Sequence, residues 1–212
     1  MAALANNWKL GRWLLGYSLV YYASMEIYPW LLTAYHGAEA TGILAATSGV
    51  VYLANPFIFG MGNFLGPQIA HAFARGGARE LHRFVVNGTY MFLCVMLPFC
   101  FIMFCWGGTG LKVMYGDKYA LYGKLVGLLA IGQLASALAH PIGYGLTAME
   151  RPDAGLKSYI AALCVTLTFG WWLVKTLGPV GVAYSLLATQ ITASLTRWII
   201  YRKVVRNDRT RQ

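Results

Sequence analysis

Six long apolar runs, a charged fraction of only 11%, and an uneven placement of lysine and arginine predict an all-α integral membrane bundle of six transmembrane helices. The chain has 212 residues, of which 58% are hydrophobic. An average soluble domain has about a quarter of its residues charged, so a water-soluble fold of this size has no use for so much apolar surface. The hydrocarbon core of a bilayer takes about 20 apolar residues in helical form. Runs near that length, broken by charge, glycine or proline, extend from about Trp13 to Leu32, Gly42 to Leu65, Phe84 to Trp106, Leu121 to Met149, Gly155 to Leu177 and Val180 to Tyr201. They gather 1–212 into a single six-helix bundle with a basic connection at 66–83 and a basic tail at 202–212. Lys9 and Arg12 precede an apolar run too long for a signal-peptide core, and no small-residue cleavage site closes it, so it reads as an uncleaved first helix.

The 17 Lys and Arg against 7 Asp and Glu give a formal charge of +10. Such an excess can attract nucleic acid, but these charges lie between apolar runs and no soluble module is present to bind DNA or RNA. They read instead as a topology signal. An even number of spans puts both termini on one side, with Lys9, Arg12, Arg75, Arg79, Arg83, Arg151, Lys157, Arg197, Arg202, Lys203, Arg206, Arg209 and Arg211. The other side keeps Lys112, Lys118, Lys124 and Lys175, so both termini are expected in the cytoplasm of a multi-pass protein of the cytoplasmic (inner) membrane. The stretch QIAHAFARGGARELHR is expected to form an interfacial helix with its arginines against anionic headgroups.

Cys94, Cys100, Cys105 and Cys164 fall in apolar stretches without CxxC spacing or a His cluster, so they read as small apolar fillers and no metal is expected. Walker A, GxSxG and HExxH patterns are absent, as is any paired-carboxylate motif on a loop. The chain is therefore not expected to be an enzyme or to carry a cofactor.

The informative residues are the hydrophilic ones inside the apolar runs, because a charge at mid-bilayer costs about 2.5–3.5 kcal/mol on insertion scales. Glu26 lies three residues before Pro29, which removes a backbone donor. A carboxylate there binds a proton or Na⁺, or pairs with Arg12 or a polar neighbour. Asn55 and Asn63, about two turns apart, share a helix face, and Gly62 and Gly66 form a GxxxG pattern that lets helix backbones approach closely. Asn87, Gln133, His140 beside Pro141, Thr166, Gln190 and Thr192 are further polar insertions, each open to a reading as interhelical glue.

Five connections together resemble one family. YHGAEATGILAAT resembles the turn joining the first two helices of a lobe in oligosaccharide flippases, and PQIAHAFARGGARELHRFV is similar to their cytoplasmic connection. MYGDKYALYGKLVGLLAIGQLASAL, GLTAMERPDAGLKSY and KTLGPVGVAYSLLATQI resemble three later turns in the same order. On these segments, from about Tyr35 to Ile191, the chain resembles the multidrug/oligosaccharidyl-lipid/polysaccharide (MOP) exporter superfamily, and within it the polysaccharide-biosynthesis flippases of O-antigen, lipopolysaccharide type. The resemblance implies one MATE-like lobe, most like the C-terminal half of a two-lobed carrier. It implies alternating access, with a lipid-linked oligosaccharide moving between the lobes. One lobe calls for a second, supplied by a homodimer, by another chain or by an N-terminal half.

A cleft that moves a polar headgroup must offer hydrophilic and positive groups. The expected lining is Arg12, Asn55, Asn63, Asn87, Gln133 and His140, with Glu26 for coupling to H⁺ or Na⁺. Two other readings stay open: a cation-coupled multidrug exporter of the same superfamily, and a non-transporting membrane subunit that scaffolds polysaccharide assembly.

Overall fold

The computed structural model describes residues 2–151 and 153–209, with side chains at 11–13, 15–151 and 153–207. The side chains of Lys9 and Arg209, and all of Pro152 and Arg211, lie outside the described residues. Helices account for nearly all of the described chain and no strand occurs in it. They are α1 (Ala2–Val51), α2 (Asn55–Tyr115), α3 (Gly123–Ala148), α4 (Asp153–Val165) and α5 (Trp171–Arg209). Short tight turns at Tyr52–Ala54 and Asp117–Tyr122 join the first three, and a wide π-helical turn at Thr166–Gly170 joins the last two. Three stretches, Gly11–Tyr115, Asp117–Ala148 and Asp153–Asn207, are long and apolar enough to cross a membrane.

The backbone leaves helical geometry inside these helices at Gly37, at Gly76 with Gly77, and at Gly178. At each the chain doubles back. Thr33 and Thr41, eight residues apart, would be separated by about 12 Å along a straight helix, yet their hydroxyls are 2.7 Å apart. Leu65 packs on Gly88 across the second break. The Ser185 hydroxyl approaches the Gly170 carbonyl at 3.4 Å across the third. Gly77 (φ 62, ψ −155) and Gly178 (φ 57, ψ −133) occupy conformations that a Cβ opposes, which is why these tight reversals fall at glycine. The result is six helical arms, 2–36, 38–75, 78–115, 123–148, 153–177 and 179–209.

The reversals gather at two ends of the bundle. At one, Glu39 pairs with Lys118 at 2.7 Å and His36 Nε2 lies 2.8 Å from the Val174 carbonyl. At the other, His82 meets the Tyr201 hydroxyl at 3.1 Å. A buried cluster fills each half, one around Tyr28, Leu32, Leu111, Val126 and Val182, the other around Ile69, Leu81, Phe92, Met96 and Tyr201. Outward, Leu19, Trp30, Phe57, Phe64, Phe104 and Trp172 are exposed, an apolar perimeter that suits hydrocarbon as solvent.

The basic stretch 66–83 differs from the expected interfacial helix. It is the ends of two long arms meeting at Gly76 and Gly77, and Ile69 and Leu81 within it are fully buried. Its apolar residues are committed to the bundle core, leaving no free apolar face for a headgroup layer. Tyr144 of α3 fills the groove offered by Gly62 and Gly66, so the GxxxG pattern admits an aromatic ring and not a second backbone.

Gly178→Ala is expected to lower stability by about 1–3 kcal/mol, because the added Cβ meets His36 only at ordinary contact distance and the cost lies in the backbone conformation. Denaturant unfolding in detergent micelles checks this, and a neutral result would mean that the turn relaxes.

Candidate functional site

Pro29 within α1 has no N–H to give the Met25 carbonyl one turn earlier, so the arm carries an unpaired backbone acceptor beside Glu26. Pro56 does the same to the Tyr52 carbonyl, which instead accepts from the Asn55 N–H. That shorter bond makes the tight turn at Tyr52–Ala54 and turns Tyr52 toward Glu26. Between the two arms of α1 lies a cavity of about 320 Å³, lined by Glu26, Tyr28, Thr41, Ser48, Tyr52 and Leu186. A smaller cavity of about 70 Å³ shares Met25, Ser48, Tyr52 and Leu186 with it and adds Tyr21, Gln133 and Gln190. The two adjoin along these shared walls, so a carboxylate, hydroxyls and amides line one groove running from α1 toward α3 and α5.

The expected site residues divide. Glu26 opens onto the groove, and Gln133 lines it while donating to the Asn55 carbonyl oxygen at 2.7 Å. Asn55 is half-buried by that bond, whereas Asn63 and Asn87 are exposed and line neither cavity of this groove. Arg12 is exposed too, its guanidinium 5.6 Å from the centre of the Trp13 ring. It makes no pair with Glu26, since fourteen residues of one helix separate them by about 21 Å. His140 lies at the opposite end, stacked between Phe92 and Tyr144 with ring centroids 6.1 Å and 6.2 Å away.

Behind the groove three hydroxyls close a buried triangle. Tyr28 donates to Thr166 at 3.1 Å and lies 2.9 Å from Thr189, and the two threonines are 3.0 Å apart. The triangle ties α1 to α5 at the π-helical turn, where the extra residue swings Thr166 inward. Thr166 is among the polar insertions named from sequence, but its partners are not. Ser48, Tyr52 and Arg197 were also missed as site residues. Arg197 carried a signal, since it is a charge inside the last apolar run, Val180–Tyr201, that was counted with the basic flank.

At the far end, a cavity of about 160 Å³ is bounded by Tyr17, His140, Gly143, Tyr144, Arg151 and Arg197. Its rim is an ion-paired turn. Asp153 receives Arg151 Nε at 3.0 Å and Lys157 Nζ at 2.7 Å. Hydrogen bonding from Arg151, joined by Lys157, outweighs partial burial and holds the Asp153 carboxyl at about 2, below its usual 3.8.

The MatE family matches residues 15–172. The chain belongs to the MatE family. It is thereby a multi-pass membrane transporter of the MOP superfamily, and MatE members are transporters, not enzymes. No curated protein and no solved structure matches this MatE chain. The match takes in the groove residues Glu26, Ser48, Tyr52 and Gln133 but stops before Thr189, Gln190 and Arg197.

Because the folded Asp153 carboxyl is held below its unfolded value, its contribution is complete above about pH 4 and is lost as pH falls through about 2. Acid unfolding of the wild type should steepen in that window, and Asp153→Asn should remove this component. An identical acid transition in the two proteins would contradict the assignment.

Proposed function

We propose that this MatE chain is one lobe of a two-lobed carrier that flips a lipid-linked oligosaccharide across the cytoplasmic membrane by alternating access. In this reading the six arms are six spans, both termini are cytoplasmic, and the second lobe comes from another copy or a separate half. The observation that carries the transport role is Glu26. It is a carboxylate on an apolar arm, open to a cavity of about 320 Å³, beside a carbonyl released by Pro29.

Glu26 is the coupling group. Protonation or Na⁺ binding removes or neutralises a charge whose exposure to hydrocarbon would cost about 2.5–3.5 kcal/mol. The state in which the groove is closed then tolerates the loaded form better than the free carboxylate, and the gradient biases which side is open. Ser48, Tyr52 and Gln190 supply hydroxyls and an amide along the same wall, groups that exchange hydrogen bonds with a sugar at little cost. The excess of +10 suits cargo linked through phosphate.

A second reading, export of organic cations, is favoured by one feature. Tyr28 and Tyr52 flank Glu26, and an aromatic wall with a carboxylate binds cations.

Flipping of a fluorescent lipid-linked oligosaccharide in proteoliposomes, measured with and without pH and Na⁺ gradients, tests this function. Glu26→Gln should retain expression and lose the gradient dependence. Unchanged dependence eliminates the coupling role, and accumulation of an organic cation in place of glycan flipping selects the second reading.

A further inference from the structure

Arg197 lies on α5, nine residues and about 13 Å of helix before Arg206, and only 8% of it is exposed. Arginine stays ionised under all ordinary conditions, so this is a buried full charge. Its partners are neutral. Nη1 reaches the Ala139 carbonyl at 3.5 Å, the Tyr159 side chain is within hydrogen-bond reach with its ring centre 5.5 Å from Cζ, and Nε has no hydrogen-bond partner. Among the described residues no carboxylate pairs with it. Glu39 is taken by Lys118, Asp117 by Lys112, and Asp153 by Arg151 and Lys157. Glu26 faces the other groove, Glu80 lies in the hollow beside Arg79, His82 and Arg83, Glu150 is exposed at the turn before Arg151, and the Asp208 side chain lies outside the described residues.

A buried charge without a counter-ion costs several kcal/mol, a cost that selection does not keep for packing alone. Arg197 also lines the 160 Å³ cavity, which holds a second guanidinium, that of Arg151, at its exposed rim and has Tyr17, Tyr144 and Thr147 among its other walls. Gly143 keeps the space beside Arg197 open: a Cβ there would lie 3.6 Å from Nη1, in ordinary contact, and a longer side chain would enter the cavity.

We infer that this cavity is a binding site for a phosphoryl anion, with Arg197 at its base and Arg151 at its mouth. Two guanidinium groups match a group with several anionic oxygens, and a planar guanidinium binds two such oxygens at once. The Arg151 charge, shared with Asp153, draws the anion to the mouth, and the buried Arg197 charge binds it away from water. The anion is a phosphate or diphosphate, either free in solution or on a lipid headgroup. The site is separate from the Glu26 groove, so it stands whether or not Glu26 couples transport.

Thermal unfolding of the full chain tests the site without any transport step. In detergent, sodium pyrophosphate is titrated against sodium chloride at matched ionic strength. In lipid nanodiscs, phosphatidic acid is compared with phosphatidylcholine. A saturable rise of the unfolding midpoint with pyrophosphate assigns the site to free phosphate, and a rise confined to phosphatidic acid assigns it to a headgroup. Either response should weaken by about 10- to 100-fold in apparent affinity in Arg197→Gln, the share of a charge-assisted hydrogen bond. Gly143→Leu, which keeps both charges and fills the space, should lose it as well, so the test holds even if Arg197→Gln folds poorly. The proposal is overturned if neither arm raises the midpoint, or if both variants respond like the wild type.

Discussion

Hydrocarbon offers no hydrogen bonds, so every backbone group within it must be matched inside the chain or face an enclosed polar space, at a cost of several kcal/mol if it does neither. Most of this fold follows from that constraint. Nearly all of the described backbone is helical. The exceptions are few and specific: glycine reversals at the ends, and proline positions within arms where a carbonyl loses its donor. Pro29 and Pro56 remove such donors in the two arms that flank the Glu26 groove, while Pro67, Pro98 and Pro141 do so elsewhere in the bundle.

The same constraint gives different outcomes for different polar side chains. Thr47, Ser158 and Thr166 return their hydroxyls to carbonyls on their own helices. Tyr28, Thr166 and Thr189 satisfy one another. Gln133 and Asn55 form a pair across two elements. These groups hold arms together and leave little capacity for a ligand. Glu26 and Arg197 are different because neither has an ion-pair partner among the described residues, and each lines a cavity.

Much was legible in the sequence because hydrocarbon solvation acts on composition. The breaks between the long apolar runs, at 33–41, 66–83 and 178–179, bracket the three reversals, although the glycines that make them were not singled out. Glu26 was legible for the related reason that a carboxylate in such a run is costly enough to need a purpose. The stretch 66–83 was misread as an interfacial helix because its charges are frequent, while the burial of Ile69 and Leu81 depends on distant partners in the second core cluster. Arg197 was lost in the same way: near a basic tail, a charge inside the bundle and a charge at its edge look alike.

Sequence therefore decided the solvent, the helical class and the bounds of the apolar runs, since these depend on each residue's own transfer free energy. Tertiary packing decided which hydrophilic groups meet. Asn63 and Asn87 stay exposed and Asn55 joins Gln133, while Glu26 and Arg197 each open onto a cavity, because pairing depends on how six arms rotate against one another and no periodicity within a single arm records that rotation.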